Sequence, residues 1–407
     1  MVIEPRPAAR RPRIDSLDLL RGLVMVIMLL DHTRDFVHAD AWRFDPTDLG
    51  RTTPLLFFTR WITHFCAPVF VLLAGTGARL QLAGGKPKRE LARFLLSRGV
   101  WLIFLEFTAV RVAAFYNFDY RFLGMMQVIW AIGASMLVLA ALIWLPVKAI
   151  AAIGIGMIGL HNLLDYISVK PWFGPPDPPP GFGASIWFIL HQQSVILPFG
   201  PHGPAALVLY PLIPWIGVLA AGYAFGELYL LDPQRRRTLL LRLGVAISLG
   251  FIVLRLSNLY GDPTPWSVQR DSGFTVLSVL NTQKYPPSLL YLMMTLGPAL
   301  LFLAWVEPRP TGRFGQALIV FGRVPLFYYL LQWVTAHGIA LGLSALAGKP
   351  TDQLFSNLPF QNVPENAGFE LWVVYVCWMG GVLLLYPPCR WYAGVKARRR
   401  DWWLGYL

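Results

Sequence analysis

The stretch Ile14–His38, IDSLDLLRGLVMVIMLLDHTRDFVH, decides how the whole chain is read. Its middle has the length and the Leu, Val and Met content of a membrane span. Yet it carries Asp18 and Arg21 near one end and Asp31, His32, Arg34 and Asp35 near the other. A charge at mid-bilayer costs at least about 2.5–3.5 kcal/mol, so these groups must face protein or a water-filled cavity. On a helix of 3.6 residues per turn, Asp18, Arg21, Met25, Met28, His32 and Asp35 follow spacings of three and four and form one stripe. Arg21 and His32 are eleven residues apart, which is three turns and roughly 16 Å of rise with almost no angular offset. One helix thus supplies a polar wall with a charged cluster at each end.

The rest of the chain agrees. Its 407 residues are 56% hydrophobic and 14% charged, where an ordinary soluble domain has about 25% charged residues. Mean hydropathy is +0.51. Apolar segments recur near 17–36, 54–80, 97–116, 122–145, 147–167, 205–230, 238–258, 286–306, 315–346 and 368–388. The expected fold is therefore all-α, a polytopic membrane bundle of about ten transmembrane helices. Its expected organisation is a basic arm over 1–14, a transmembrane domain over 15–390 and a basic, aromatic tail over 391–407. No cleavable signal peptide is evident, because the first apolar segment has polar ends and no small-residue cleavage pattern.

Charge gives the orientation. Basic clusters fall at Arg6/Arg10/Arg11/Arg13, Lys86/Lys88/Arg89/Arg93/Arg98, Arg235/Arg236/Arg237/Arg242, Arg309/Arg313 and Lys396/Arg398/Arg399/Arg400. Each precedes the first span or follows an even-numbered one. The positive-inside rule makes that face cytoplasmic, with both termini inside and Ser168–Pro204 outside. The net charge of +13 then reflects topology. Basic residues that punctuate spans and form no separate domain argue against nucleic acid as a partner; the lipid bilayer is the partner expected. Cys66, Cys377 and Cys389 lack pairing or metal-ligand spacing and the histidines are scattered, so no metal is expected.

The second span repeats the theme. FFTRWITHFCAPVFVLLAGTGA puts Arg60 and His64 one turn apart, then ends in small residues (Ala74, Gly75, Gly77, Ala78) that suit close helix packing. It is expected to run antiparallel beside the first, with His32 and His64 in the same half of the membrane. Asp31 and Asp35 flank His32 and would orient its ring, whereas an interhelical hydrogen bond accounts for His64 equally well. A positioned histidine that takes a proton from an alcohol or amine contributes about 10²–10⁴ in rate. At the other end, Arg21, paired with Asp18 at i,i+3, suits a phosphate. Gln127 in GMMQVIW could donate a hydrogen bond to a developing oxyanion, and interhelical packing accounts for it equally well. Lys284 in NTQKYPPS stands at the outer mouth of the eighth span, where it would meet an anionic glycan or headgroup. Glu106 and Arg111 are rare groups within a span and are expected to line a cavity.

These segments also carry a resemblance. LDLLRGLVMVIMLLDH is similar to the first helix of integral-membrane acyltransferases, an L-D-x-L-R-G pattern with a histidine eleven residues after the arginine. Together with FCAPVFVLLAGTGA, GMMQVIWAIGASM, YPLIPWIGVLAAGYAFG, KYPPSLLYLMMTLGPALL and FGRVPLFYYLLQW, the chain resembles bacterial relatives of heparan-alpha-glucosaminide N-acetyltransferase. The resemblance implies transfer of an acyl group, typically acetyl, from cytosolic acetyl-CoA to a sugar amine or hydroxyl on the far side. Acetyl-CoA is then a co-substrate, and no permanently bound cofactor is implied. Other transmembrane acyltransferases place the essential histidine where His32 stands. The lysosomal enzyme has asparagine there and its histidine further on, in a segment resembling HADAW, which would select His38. The order of candidates is His32, His38, His64.

The reading is a multi-pass acyltransferase of the cell inner membrane. Asp31, His32, Asp35, His38 and His64 are the catalytic candidates, and Asp18, Arg21, Arg60, Gln127 and Lys284 the substrate-binding ones. The acceptor is an extracytoplasmic sugar or glycolipid; acyl chain, exact acceptor and oligomeric state stay open. The alternative is a transporter or flippase for a lipid-linked sugar that uses the same polar stripe as a conduit. The absence of an inverted repeat favours the enzyme.

Overall fold

Inside a bilayer no water satisfies free backbone groups, so apolar runs of this length fold as helices. The computed structural model describes residues 14–357, 363–399 and 401–407. In chain order the elements are α1 (Asp15–Val37), α2 (Pro54–Trp61), α3 (Cys66–Ala83), α4 (Lys88–Leu105), α5 (Arg111–Phe115), β1 (Phe122–Met126), α6 (Val128–Leu142), α7 (Val147–Leu160), α8 (Phe182–Leu190), β2 (Ser194–Ile196), β3 (Ala205–Val208) and α9 (Leu212–Phe225). There follow α10 (Pro233–Ser257), α11 (Ser272–Leu280), α12 (Leu289–Val306), α13 (Arg313–Arg323), α14 (Pro325–Leu346) and α15 (Leu371–Arg398). The protein is a polytopic helical membrane bundle. Among the described residues, seven helices are long and apolar enough to cross a membrane. The charged α1, the α4–α5 rod and the shorter α6 occupy the other three expected segments. The basic cluster Arg6/Arg10/Arg11/Arg13 and Arg400 lie outside the described residues.

Three expected spans differ in detail. Segments 122–145 and 205–230 open as strands, since Phe122–Met126 and Ala205–Val208 pair as parallel β1 and β3, with β2 antiparallel on the other side of β3. Alternation was hidden there by uniformly apolar sequence. The segment 315–346 breaks at Val324, because Pro325 cannot continue a helix through its missing N–H and instead starts α14.

Helix α1 runs through the centre, packed on α3, α13, α14 and α15. Contact with α13 is backbone to backbone. A Cβ on Gly22 would lie 1.9 Å from the carbonyl oxygen of Leu318, and one on Gly322 would lie 1.9 Å from that of Asp18. Any side chain there would push the helices apart and move Asp18 and Arg21. Helices α3 and α9 meet in the same way through Gly75 and Gly222, as the small residues of the second span foretold. Helix starts follow the usual chemistry: Thr53 caps α2 ahead of Pro54, and Ser288 caps α12.

Two buried arginines anchor the connections at the His32 end. Arg255 donates to the carbonyls of Thr264, Ser278, Val279 and Asn281 at 2.6–2.9 Å, satisfying acceptors that the end of α11 leaves open. Arg111 likewise gathers Asn117, Asp119, Phe122 and Asn357. It holds the connection into β1 and is not among the cavity-lining residues, contrary to its expected role. Glu106 also departs from expectation: it accepts from the Trp130 backbone N–H at 3.0 Å and so caps the start of α6.

Candidate functional site

The two ends of α1 open onto different cavities. At the Arg21 end a vestibule of about 1510 Å³ is lined by Asp15, Asp18, Arg21, Arg236, Glu307 and Arg323, among others. Arg21 donates to Asp18 at 2.9 Å and to the Gly322 carbonyl at 3.0 Å, so α13 fixes its direction. Arg323 approaches Asp15 and Asp18 at 3.3 and 3.9 Å, and Arg236 pairs with Glu307 at 2.5 Å.

At the other end a cavity of about 490 Å³ lies between α1, α2, the α11–α12 connection, α14 and the small sheet. Asp31, His32, Asp35, Arg60, Gln127 and Lys284 all line it, as does Arg34. Sequence spacing and packing bring them together. Arg60 reaches from α2 to both Asp31 oxygens at 2.7 and 2.8 Å, and Arg34 joins Asp31 at 3.1 Å and pairs with Asp35. The Lys284 ammonium stands 4.0 Å from Asp31. Buried charges survive only when paired in this way.

No hydrogen bond links His32 to Asp31 or Asp35, so the expected orientation of its ring by a carboxylate is replaced by another device. The imidazole lies on the indole of Trp333, ring centroids 3.8 Å apart. Its Nδ1 is buried without a hydrogen-bond partner among the described residues, and His32 lines the cavity.

The other two histidines are placed differently. His64 falls in a 3-10 turn, Ile62–Phe65, that separates α2 from α3. Its ring packs 5.3 Å from that of Tyr291, whose hydroxyl donates to the His64 carbonyl at 2.8 Å. His38 ends α1 and forms a bridge with Phe369. Neither borders the cavity that holds His32. Burial pulls the His38 imidazole below its ordinary range, against the opposing pull of Asp40 and Glu370.

Between the two cavities lies a third, about 290 Å³ and mostly apolar, lined by Met25, Phe70, Leu73, Leu102, Ile132 and Met136. It shares Arg21, Gly77 and Gln81 with the vestibule, and Val128 and Tyr329 with the His32 cavity. The three are therefore strung along the stripe of α1.

Several of these contributors were not singled out from the sequence. Trp333, Tyr285, Tyr329 and the strand residues Met125 and Leu207 read as apolar span or loop until the fold places them around His32. For Arg34 the signal was present, an i,i+3 partner to Asp31. Among the described residues no three His, Cys, Asp or Glu side chains group as metal ligands.

Fold and site define a multi-pass membrane protein with a histidine-bearing polar cavity, a basic vestibule and, between them, an apolar pocket that shares lining residues with both. The family model for heparan-alpha-glucosaminide N-acetyltransferase, catalytic, matches residues 13–253. That is more than half of the chain, and the chain belongs to this family of membrane acetyltransferases. The match runs from the start of α1 through most of α10, so Lys284, Tyr285, Tyr329 and Trp333 come from the part beyond it. No curated protein matches the chain.

Proposed function

We propose that the protein transfers an acetyl group from acetyl-CoA, bound from the cytoplasmic side, to an amine or hydroxyl of an extracytoplasmic sugar or glycolipid, in the cell inner membrane. The observation that carries this reading is the spacing on α1. Arg21 in the basic vestibule and His32 in the second cavity are three helical turns apart, roughly 16 Å, with the apolar pocket between them. That is the reach of a pantetheine arm whose phosphates stay among Arg21, Arg236 and Arg323 while its thioester arrives beside His32. The basic clusters favour the vestibule end as cytoplasmic.

In this scheme the acceptor loses its proton to His32 as it attacks the thioester carbonyl, and the proton then passes to the departing CoA thiolate. The imidazolium formed in between sits next to Asp31, which offsets its charge through space. Trp333 keeps the ring in place. Gln127 lines the reaction cavity, as do the aromatic residues Trp42 and Phe44, which suit contact with a sugar ring.

The test is to reconstitute the protein in vesicles with acetyl-labelled CoA on one side and amino sugars on the other. Label should appear in the sugar across the membrane. Label held on the protein when acceptor is omitted would mark an acetyl-histidine route. Movement of a lipid-linked sugar between leaflets without use of acetyl-CoA would instead establish the transporter reading.

A further inference from the structure

Among the described residues three cations line the His32 cavity, and two of them are committed. Arg60 meets both oxygens of Asp31 and approaches the Tyr285 hydroxyl at 3.5 Å. Arg34 bridges Asp31 and Asp35. Lys284 is different. Its side chain is 8% exposed, yet its closest carboxylate oxygen is 4.0 Å away, beyond hydrogen-bond distance. Asp31 is already neutralised by two guanidinium groups, so it does not require a third cation. Its recorded partners are long-range ones, Asp31 at 4.0 Å and the face of the Tyr285 ring at 5.3 Å, so among the described residues its N–H donors are not held by a close acceptor and can turn to a ligand in the cavity.

The loop that carries Lys284 is held from several sides. The Asn281 side chain donates to the Thr47 carbonyl at 3.0 Å, and its own carbonyl accepts from Arg255 at 2.6 Å. Gln283 N–H and Ser288 Oγ both donate to Asp262, at 2.9 and 2.6 Å. Leu289 N–H donates to Asn162 at 2.9 Å. The backbone on either side of Lys284 is thus held before any ligand arrives, which keeps the side chain directed into the cavity it lines. A preorganised donor aimed at a site of developing charge is the arrangement that stabilises a transition state, since it needs no reorganisation during reaction.

We propose that Lys284 is a catalytic residue that holds the oxyanion of the tetrahedral intermediate; the proposal rests on the acetyl-transfer reading above. As the acceptor forms its bond to the thioester carbon, the carbonyl π pair moves to oxygen, where the Lys284 ammonium donates a hydrogen bond. The acceptor proton goes to His32. Collapse restores the carbonyl, breaks the C–S bond and expels the CoA thiolate, which takes the proton from His32. This role replaces the anionic-headgroup role expected of Lys284 from sequence, because the ammonium is buried beside the Asp31 cluster and not displayed at the rim.

The discriminating variant is Lys284→Met, assayed for kcat and KM and for binding of a trifluoromethyl-ketone analogue of acetyl-CoA, whose hydrate mimics the intermediate. The expected result is a kcat lower by about 10²–10³, nearly unchanged KM for acetyl-CoA and acceptor, and loss of tight analogue binding with plain CoA binding retained. Lys284→Arg should recover part of kcat. Retained analogue affinity, or a raised acceptor KM at unchanged kcat, would overturn the assignment. A Lys284→Met protein that binds neither CoA nor analogue, and is not rescued by Lys284→Arg, also overturns it, because Lys284 is then structural. If the wild type itself neither binds CoA nor transfers acetyl, the acetyl-transfer reading is what fails.

Discussion

Helix α1 contains the same pair twice. Asp18 and Arg21 are i,i+3 partners at 2.9 Å, and thirteen residues on Asp31 and Arg34 are i,i+3 partners at 3.1 Å. As local i,i+3 pairs they are equivalent, although the thirteen-residue step turns the second roughly 140° around the helix from the first. In the folded protein they are not: the Arg21 side chain is 21% exposed in a wide vestibule, whereas that of Arg34 is 4% exposed among Asp35, Arg60 and Lys284. The first pair borders the wide vestibule. The second is part of a closed network that sets the electrostatics around His32. Identical local chemistry acquires different work from depth and neighbours.

The largest effect separating the two ends should come from His32→Ala. We expect acetyl transfer to fall by at least about 10²-fold with CoA still bound, while His38→Ala and His64→Ala keep transfer within a few-fold of wild type when folded. Rate assays on the three purified variants decide it; loss confined to His38→Ala would move the chemistry out of the cavity altogether.

Next in size is the contrast between the two aspartates. Asp31→Asn leaves Arg34 and Arg60 buried without their shared carboxylate and should destabilise by about 3–5 kcal/mol. Asp18 is as buried as Asp31, but its arginine neighbours Arg21 and Arg323 are 21% and 37% exposed and water can solvate them, so Asp18→Asn should cost less, about 1–3 kcal/mol. Denaturation of both variants in the same detergent measures the difference, and equal losses would break the comparison at its root.

Arg21→Gln should raise the KM for acetyl-CoA by about tenfold, the scale of one charge-assisted hydrogen bond, with kcat nearly unchanged. Added salt should weaken donor binding in the wild type more than in the variant. If CoA titrations give the same affinity and salt dependence for both, Arg21 serves only the α1–α13 contact.

The smallest effect concerns pH. Burial lowers the His38 pKa in the fold below its unfolded value. Its contribution to stability is therefore fully present above the unfolded pKa, near 6.5, and is lost as pH falls from there toward the folded value. The wild type should lose slightly more stability than His38→Gln between pH 7 and pH 5, as seen in paired thermal melts. An identical pH dependence would show that His38 does not contribute to it.

How much of this was legible before the fold can be judged from particular residues. Asp18, Arg21, Asp31 and His32 could be placed because a helix repeats every 3.6 residues and lipid rejects charge, two constraints that act locally on one segment. The same constraints gave the helical class and the packing role of Gly75. The strands were not legible, because Phe122–Met126 and Ala205–Val208 are as apolar as the spans they precede and pair across some eighty residues of chain. Nor was the break at Val324 marked before Pro325 was seen to start a helix.

Sequence by itself determined the membrane class, the polar stripe of α1 and the identity of the groups at its two ends, since each follows from the periodicity and solvation of a single segment. Only the tertiary structure decided which partners those groups have. Arg60 on Asp31, Trp333 under His32, Gly322 against Asp18 and Lys284 held beside Asp31 are contacts between segments distant in the chain. Such contacts depend on how helices pack, and side-chain volume and backbone approach, not local pattern, settle that packing.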